Sequence, residues 1–95
     1  MNITKMLTIS TAHITRETEK KLRVESYSNN MCLSVYDKEG YGYWIYIDPY
    51  DKLMCKKNIP EDLLKCIELA RQNDCQWLCL DWDAEEVSEL PTYDW

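Results

Sequence analysis

Cys32-Leu33-Ser34-Val35-Tyr36, then Asp37-Lys38-Glu39-Gly40, then Tyr41-Gly42-Tyr43-Trp44-Ile45-Tyr46-Ile47: this stretch decides the fold class. Two β-rich runs joined by four residues ending in Gly predict a hairpin. Strand side chains alternate between faces. Tyr41, Tyr43, Ile45 and Ile47 therefore oppose Gly42, Trp44, Tyr46 and Asp48, and both faces carry rings. One face must meet the rest of the chain. The other is either covered by the C-terminal tail or open to a partner.

Toward the N-terminus, Ser28-Asn29-Asn30 breaks the pattern. Before it, Thr15 can cap a helix from Arg16 to about Tyr27, with Glu17 and Glu19 at the positive end. Its apolar residues are few, Leu22, Val24 and the flanking Ile14, so it should be mostly exposed. Met6-Leu7-Thr8-Ile9-Ser10 predicts a first strand. Toward the C-terminus, Asp48-Pro49-Tyr50-Asp51 is a turn and residues 52–59 a loop or short irregular strand. Pro60 then opens a helix to about Asn73. Leu63, Leu64, Cys66, Ile67, Leu69 and Ala70 form its apolar stripe. Trp77-Leu78-Cys79-Leu80-Asp81 is apolar on both faces, which suits a central strand. Asp83 to Glu89 is expected to make one helical turn. Leu90-Pro91-Thr92-Tyr93-Asp94-Trp95 is expected to be an extended tail docked on the domain. The predicted class is α+β, in β-α-β-β-α-β (ferredoxin-like) order, with the helices on one face of the sheet.

Ninety-five residues make a single domain, 1–95. Seven Tyr and 4 Trp supply the bulk that the missing Phe would give. The net charge of −6 is unevenly placed. Residues 1–71 hold all 11 basic groups and 10 acidic ones; residues 72–95 hold 7 acidic groups and no basic one. Such a segment repels nucleic-acid phosphate and attracts basic protein surfaces. The first residues lack an export-type apolar run, and no stretch approaches a membrane span. The five cysteines, Cys32, Cys55, Cys66, Cys75 and Cys79, then read as free thiols in a reducing, cytoplasmic compartment.

Three segments carry a resemblance. They are Ser10-Thr11-Ala12-His13-Ile14-Thr15, Ile59-Pro60-Glu61-Asp62-Leu63, and Trp77 to Asp81 followed by Leu90-Pro91-Thr92-Tyr93-Asp94-Trp95. Together they resemble a family of small uncharacterised bacterial proteins, a domain of unknown function found on plasmids, phages and conjugative elements. The resemblance implies a bacterial or mobile-element origin and no particular reaction.

His13, the sole histidine, follows the first strand. With Asp81 or Asp83 it would make a base for a small hydrolase or nuclease. No nucleophile elbow or oxyanion motif accompanies it, and a loop stiffened by Ser10, Thr11, His13 and Thr15 is the plainer reading. Cys75 and Cys79 lack paired zinc spacing, and Cys66 falls in a helix stripe, so the thiols read as core and no metal or cofactor is expected. Asp81, Asp83, Glu85 and Glu86 lack the glycine and distal glutamate of a calcium loop. A two-metal site would need Asp48 or Asp51 to join them. The aromatics suggest a base-stacking sheet, but the RNA-recognition motif is absent and the charge is wrong. Tyr and Trp anchor protein interfaces, and a carboxylate rim selects a basic partner. The leading expectation is a non-enzymatic interaction module that inhibits a basic nucleic-acid-handling host defence protein, of anti-CRISPR or anti-restriction type. Its binding residues would be Asp81, Trp82, Asp83, Glu85, Glu86, Glu89, Tyr93 and Trp95. A homodimer through the open sheet face is a third reading.

Overall fold

A computed structural model describes residues 1–25, 33–47 and 59–94. Its elements are β1 (Met6–Ser10), a 3₁₀ turn (Thr11–His13), α1 (Arg16–Glu25), β2 (Ser34–Asp37), β3 (Gly42–Tyr46), α2 (Glu61–Gln72) and β4 (Trp77–Asp81). The class is α+β, and the elements follow one another in the expected sequence. The four strands form one mixed sheet in the order β1-β4-β3-β2. β1 runs parallel to β4, while β3 is antiparallel to both β4 and β2. β1 and β4 are thus direct parallel neighbours, and β1 and β2, which flank α1 in the chain, also run parallel with two strands between them, where a split βαβ unit has one. β4 is paired on both sides, which explains its continuous apolar run.

The register sorts the side chains. Ile9, Leu80 and Tyr43 share one row, and Leu7, Leu78, Ile45 and Val35 the next. These rows meet Leu22 of α1 and Leu63, Cys66, Ile67 and Ala70 of α2 in a single core. Both helices therefore cover the same face. The opposite face carries Met6, Trp77 and Tyr46 in one row and Thr8, Cys79, Trp44 and Tyr36 in the next.

α1 is largely exposed, as its charge implies, but its buried stripe is Thr18, Glu19, Leu22 and Glu25. A polar stripe is tolerated only when it is hydrogen-bonded. Thr18 Oγ1 donates to Asp62 Oδ1 at 2.9 Å, Tyr43 Oη donates to Glu19 Oε1 at 2.9 Å, and the Leu33 amide donates to Glu25 Oε2 at 3.3 Å. Burial pushes the Tyr43 phenol up to about 12, so it stays a donor at neutral pH. Thr15 Oγ1 caps α1 by accepting from the Thr18 amide. Asp62 of α2 reaches back to the Thr15 amide at 2.8 Å, tying the two helices together.

Several boundaries differ from the sequence reading. Pro60 is the cap residue and α2 begins at Glu61; the proline's fixed φ serves either position. At the other end Asn73 is the C-cap of α2, where the sequence places the end of the helix, and the left-handed residue Asp74 follows it. β3 begins at Gly42 rather than Tyr41. Residues 83–89 form turns instead of a helical turn. The Glu85 carbonyl accepts from the Ser10 amide of β1 and the Val87 amide donates to His13 of the 3₁₀ turn, which takes these two groups out of any local helical ladder. The expected break at Ser28–Asn30, the turn at Asp48–Asp51 and residues 52–58 lie outside the described residues, as do Cys32, Cys55 and Trp95.

Candidate functional site

The acidic segment leaves β4 and crosses to the end of β1. The Ser10 amide donates to the Glu85 carbonyl at 3.1 Å, and the Tyr93 amide donates to the Ala12 carbonyl at 2.8 Å. Val87 and Leu90 pack on the core. Between these ties sits His13, 1% exposed. Its Nε2 accepts from the Val87 amide at 2.9 Å, and its Nδ1 donates to the Pro91 carbonyl at 2.9 Å. One neutral tautomer, protonated on Nδ1, satisfies both partners. The sole histidine is therefore a staple holding the tail. Neither Asp81 nor Asp83 is among its ring partners, so the expected His–Asp pair is not assembled here. Ser10 Oγ accepts from the Ala12 amide at 3.0 Å and stiffens the same corner.

The tail's carboxylates point outward. Asp83, Glu85, Glu86, Glu89 and Asp94 are all exposed. Among the described residues none of them is in an ion pair; Glu89 accepts only from Ser88. Trp82 is 46% exposed beside them, and Tyr93 is half-buried. Asp81 differs from the rest. It pairs with Lys38 from the β2–β3 connection and accepts from the Asp83 amide at 2.8 Å. The Lys38 ammonium and that amide together hold the Asp81 carboxyl below the usual carboxylate range. Asp81 therefore acts as a hinge-pin at the start of the acidic segment, and the other carboxylates carry the free charge.

The Lys38 ammonium also lies 5.6 Å from the centre of the Trp44 ring and 3.7 Å from Cys79 Sγ. Burial raises the Cys79 thiol above its ordinary range despite that ammonium. Cys66 is pushed up to about 12, by burial first and the Asp62 carboxylate second. Both are poor nucleophiles. Cys66, Cys75 and Cys79 are buried and free. Among the described residues no three His, Cys, Asp or Glu side chains are grouped as metal ligands.

Below Lys38 the open face is aromatic. Tyr36 and Trp77 stand 6.0 Å apart between ring centres, and Tyr46 and Trp77 meet edge-to-face at 5.2 Å. Met6, Tyr36, Trp44 and Trp77 line a shallow hollow of about 230 Å³. Tyr36, Tyr46 and Met6 are exposed. The alternation in residues 41–47 singles out Trp44 and Tyr46. Met6, Tyr36, Trp77 and Lys38 join them only through the strand register, which no local pattern reveals.

The fold and this surface define a small α+β domain with an aromatic sheet face and an acidic, pinned C-terminal segment. The chain belongs to a family of unknown function: the model of the DUF5983 family C-terminal domain matches residues 6–95. No curated protein and no solved structure matches the chain. No helix among the described residues is long and apolar enough to cross a membrane.

Proposed function

We propose that the chain is a protein-interaction module that engages a basic partner through its acidic C-terminal segment. Asp83, Glu85, Glu86 and Glu89 supply the charge, Trp82, Tyr93 and Trp95 supply apolar contact, and Asp81 fixes where the segment starts. The observation that carries this reading is the pairing of exposed carboxylates, in no ion pair among the described residues, with a fixed anchor. A flexible acidic tail pays an ordering cost on binding. This segment is pre-ordered by His13 and by its backbone hydrogen bonds with residues 10 and 12.

The partner class follows from charge. A groove built for nucleic-acid phosphate is basic, and a negatively charged protein surface fits it by the same attraction. The specific form is a decoy or inhibitor of a nucleic-acid-handling defence protein, in the bacterial cytoplasm and on a mobile element. The occupation of both His13 nitrogens by backbone groups favours the interaction module over the hydrolase or nuclease reading.

The test is capture by the tagged chain from a nuclease-treated bacterial lysate, alongside a Glu85→Lys, Glu86→Lys, Glu89→Lys triple variant. The expected result is a basic protein retained by the wild type at low salt, released at high salt, and not retained by the variant. Equal retention by both chains would overturn the reading.

A further inference from the structure

We infer that the hollow on the open sheet face is a binding site for an arginine side chain of the basic partner, recognised by the faces of Trp44, Trp77 and Tyr36. This rests on the proposed function and names the chemistry of a second contact.

Three observations converge. The hollow is walled by aromatic rings and Met6, and among the described residues no polar atom is exposed to it. A guanidinium there gains nothing from hydrogen bonds and everything from ring faces, whose negative quadrupole attracts a cation. The molecule already makes this contact once: the Lys38 ammonium sits over Trp44. Lys38 does not repel a second cation strongly, because its charge is balanced by Asp81. Finally, the field favours a cation. The chain carries −6 overall, and the carboxylates of the C-terminal segment begin where β4 ends. Trp77, Cys79 and Asp81 alternate along β4 on this face, so about 13 Å of strand separates the rings from the acidic end. A basic segment laid along β4 would place one residue on the rings and those about four positions further along on the carboxylates. Arginine is favoured over lysine because its planar, weakly hydrated head stacks on rings.

The experiment uses the full chain, labelled for NMR. The probe is a short Gly-Ser peptide bearing one arginine, beside the same peptide with citrulline, which has the same shape and no charge. The expected result is saturable shifts of the Trp44 and Trp77 indole N–H signals with the arginine peptide, about tenfold weaker with citrulline. Tyr36→Leu, an exposed position that keeps apolar bulk and the fold, should weaken arginine binding several-fold. Trp77→Leu should do the same. Equal binding of the two peptides, or unchanged binding by both variants, would overturn the inference. Shifts confined to the amides of residues 83–89 would overturn it while leaving the acidic-segment reading standing. Silence in both regions would count against both.

Discussion

Gly42 is held at φ 154°, and a Cβ added there would lie 1.8 Å from the Leu80 carbonyl oxygen. That oxygen belongs to the neighbouring backbone, which cannot swing aside as a side chain can. The close approach lets β3 pair with β4 up to Asp81 and lets the Trp82 amide reach the Tyr41 carbonyl at 2.9 Å. Gly42→Ala should therefore cost more than about 3 kcal/mol, read as a shift in urea midpoint. A cost within the range of ordinary surface substitutions would show that the approach is not required. His13 poses the complementary case. His13→Ala removes two hydrogen bonds and leaves the Val87 amide and Pro91 carbonyl without their partner. The expected loss is about 3 kcal/mol. Amide exchange at Val87 and Tyr93 should accelerate well before that of β4. Uniform acceleration across the chain would mean that the tail is not a separately pinned unit.

The β2–β3 connection is the element that turns charge into geometry. Glu39 and Gly40 take positive φ, the Lys38 amide donates to the Gly42 carbonyl at 2.9 Å, and the Lys38 side chain is delivered to Asp81. The partnership shifts both groups in opposite senses. Asp81 is lowered, so its stabilisation is present above the ordinary carboxylate range and is lost as pH falls through the lowered value. Lys38 is raised by the Asp81 carboxylate, so its share is present below the ordinary lysine range and is lost as pH rises through the raised value. The pair therefore contributes across the whole neutral window. Between about pH 5 and about pH 3, the wild type should lose urea resistance more steeply than Asp81→Asn. Parallel slopes would show that the pair adds nothing.

Legibility in the sequence follows the range of the interactions. Both helices, the hairpin and the central strand were readable because each is written in local periodicity, as with the stripe from Leu63 to Ala70. The docking of α1 was not, because its buried stripe is polar. Thr18, Glu19 and Glu25 are burial sites only by virtue of Asp62, Tyr43 and Leu33, which are distant in sequence. The same holds for the sheet order: the chain order of strands does not say that β1 lies beside β4. At the candidate surface, the acidic segment was legible from composition. The role of His13 was not, since both its partners are backbone groups near the far end of the chain. The hollow of Met6, Tyr36, Trp44 and Trp77 draws on four strands and exists only after they pair.

At the scale of the molecule, the chain has one face closed by helices, one face left aromatic, and a carboxylate-bearing segment fastened at the end of the sheet. The separation of binding charge from folding charge is the central claim. Asp81, Glu19, Glu25 and Asp62 are consumed in holding the fold, whereas Glu85, Glu86 and Glu89 are exposed and make no ion pair among the described residues. Reversing the second set should leave stability within about 0.5 kcal/mol, while reversing members of the first should unfold the chain. The most direct measurement is calorimetric titration of the captured basic partner into the wild type and into the Glu85→Lys, Glu86→Lys, Glu89→Lys chain, with thermal unfolding of both recorded alongside. Affinity reduced by at least about tenfold, with an unchanged unfolding temperature and a steep salt dependence in the wild type alone, is the predicted result. Equal affinity in two equally stable chains would contradict it and remove the acidic segment as the binding surface.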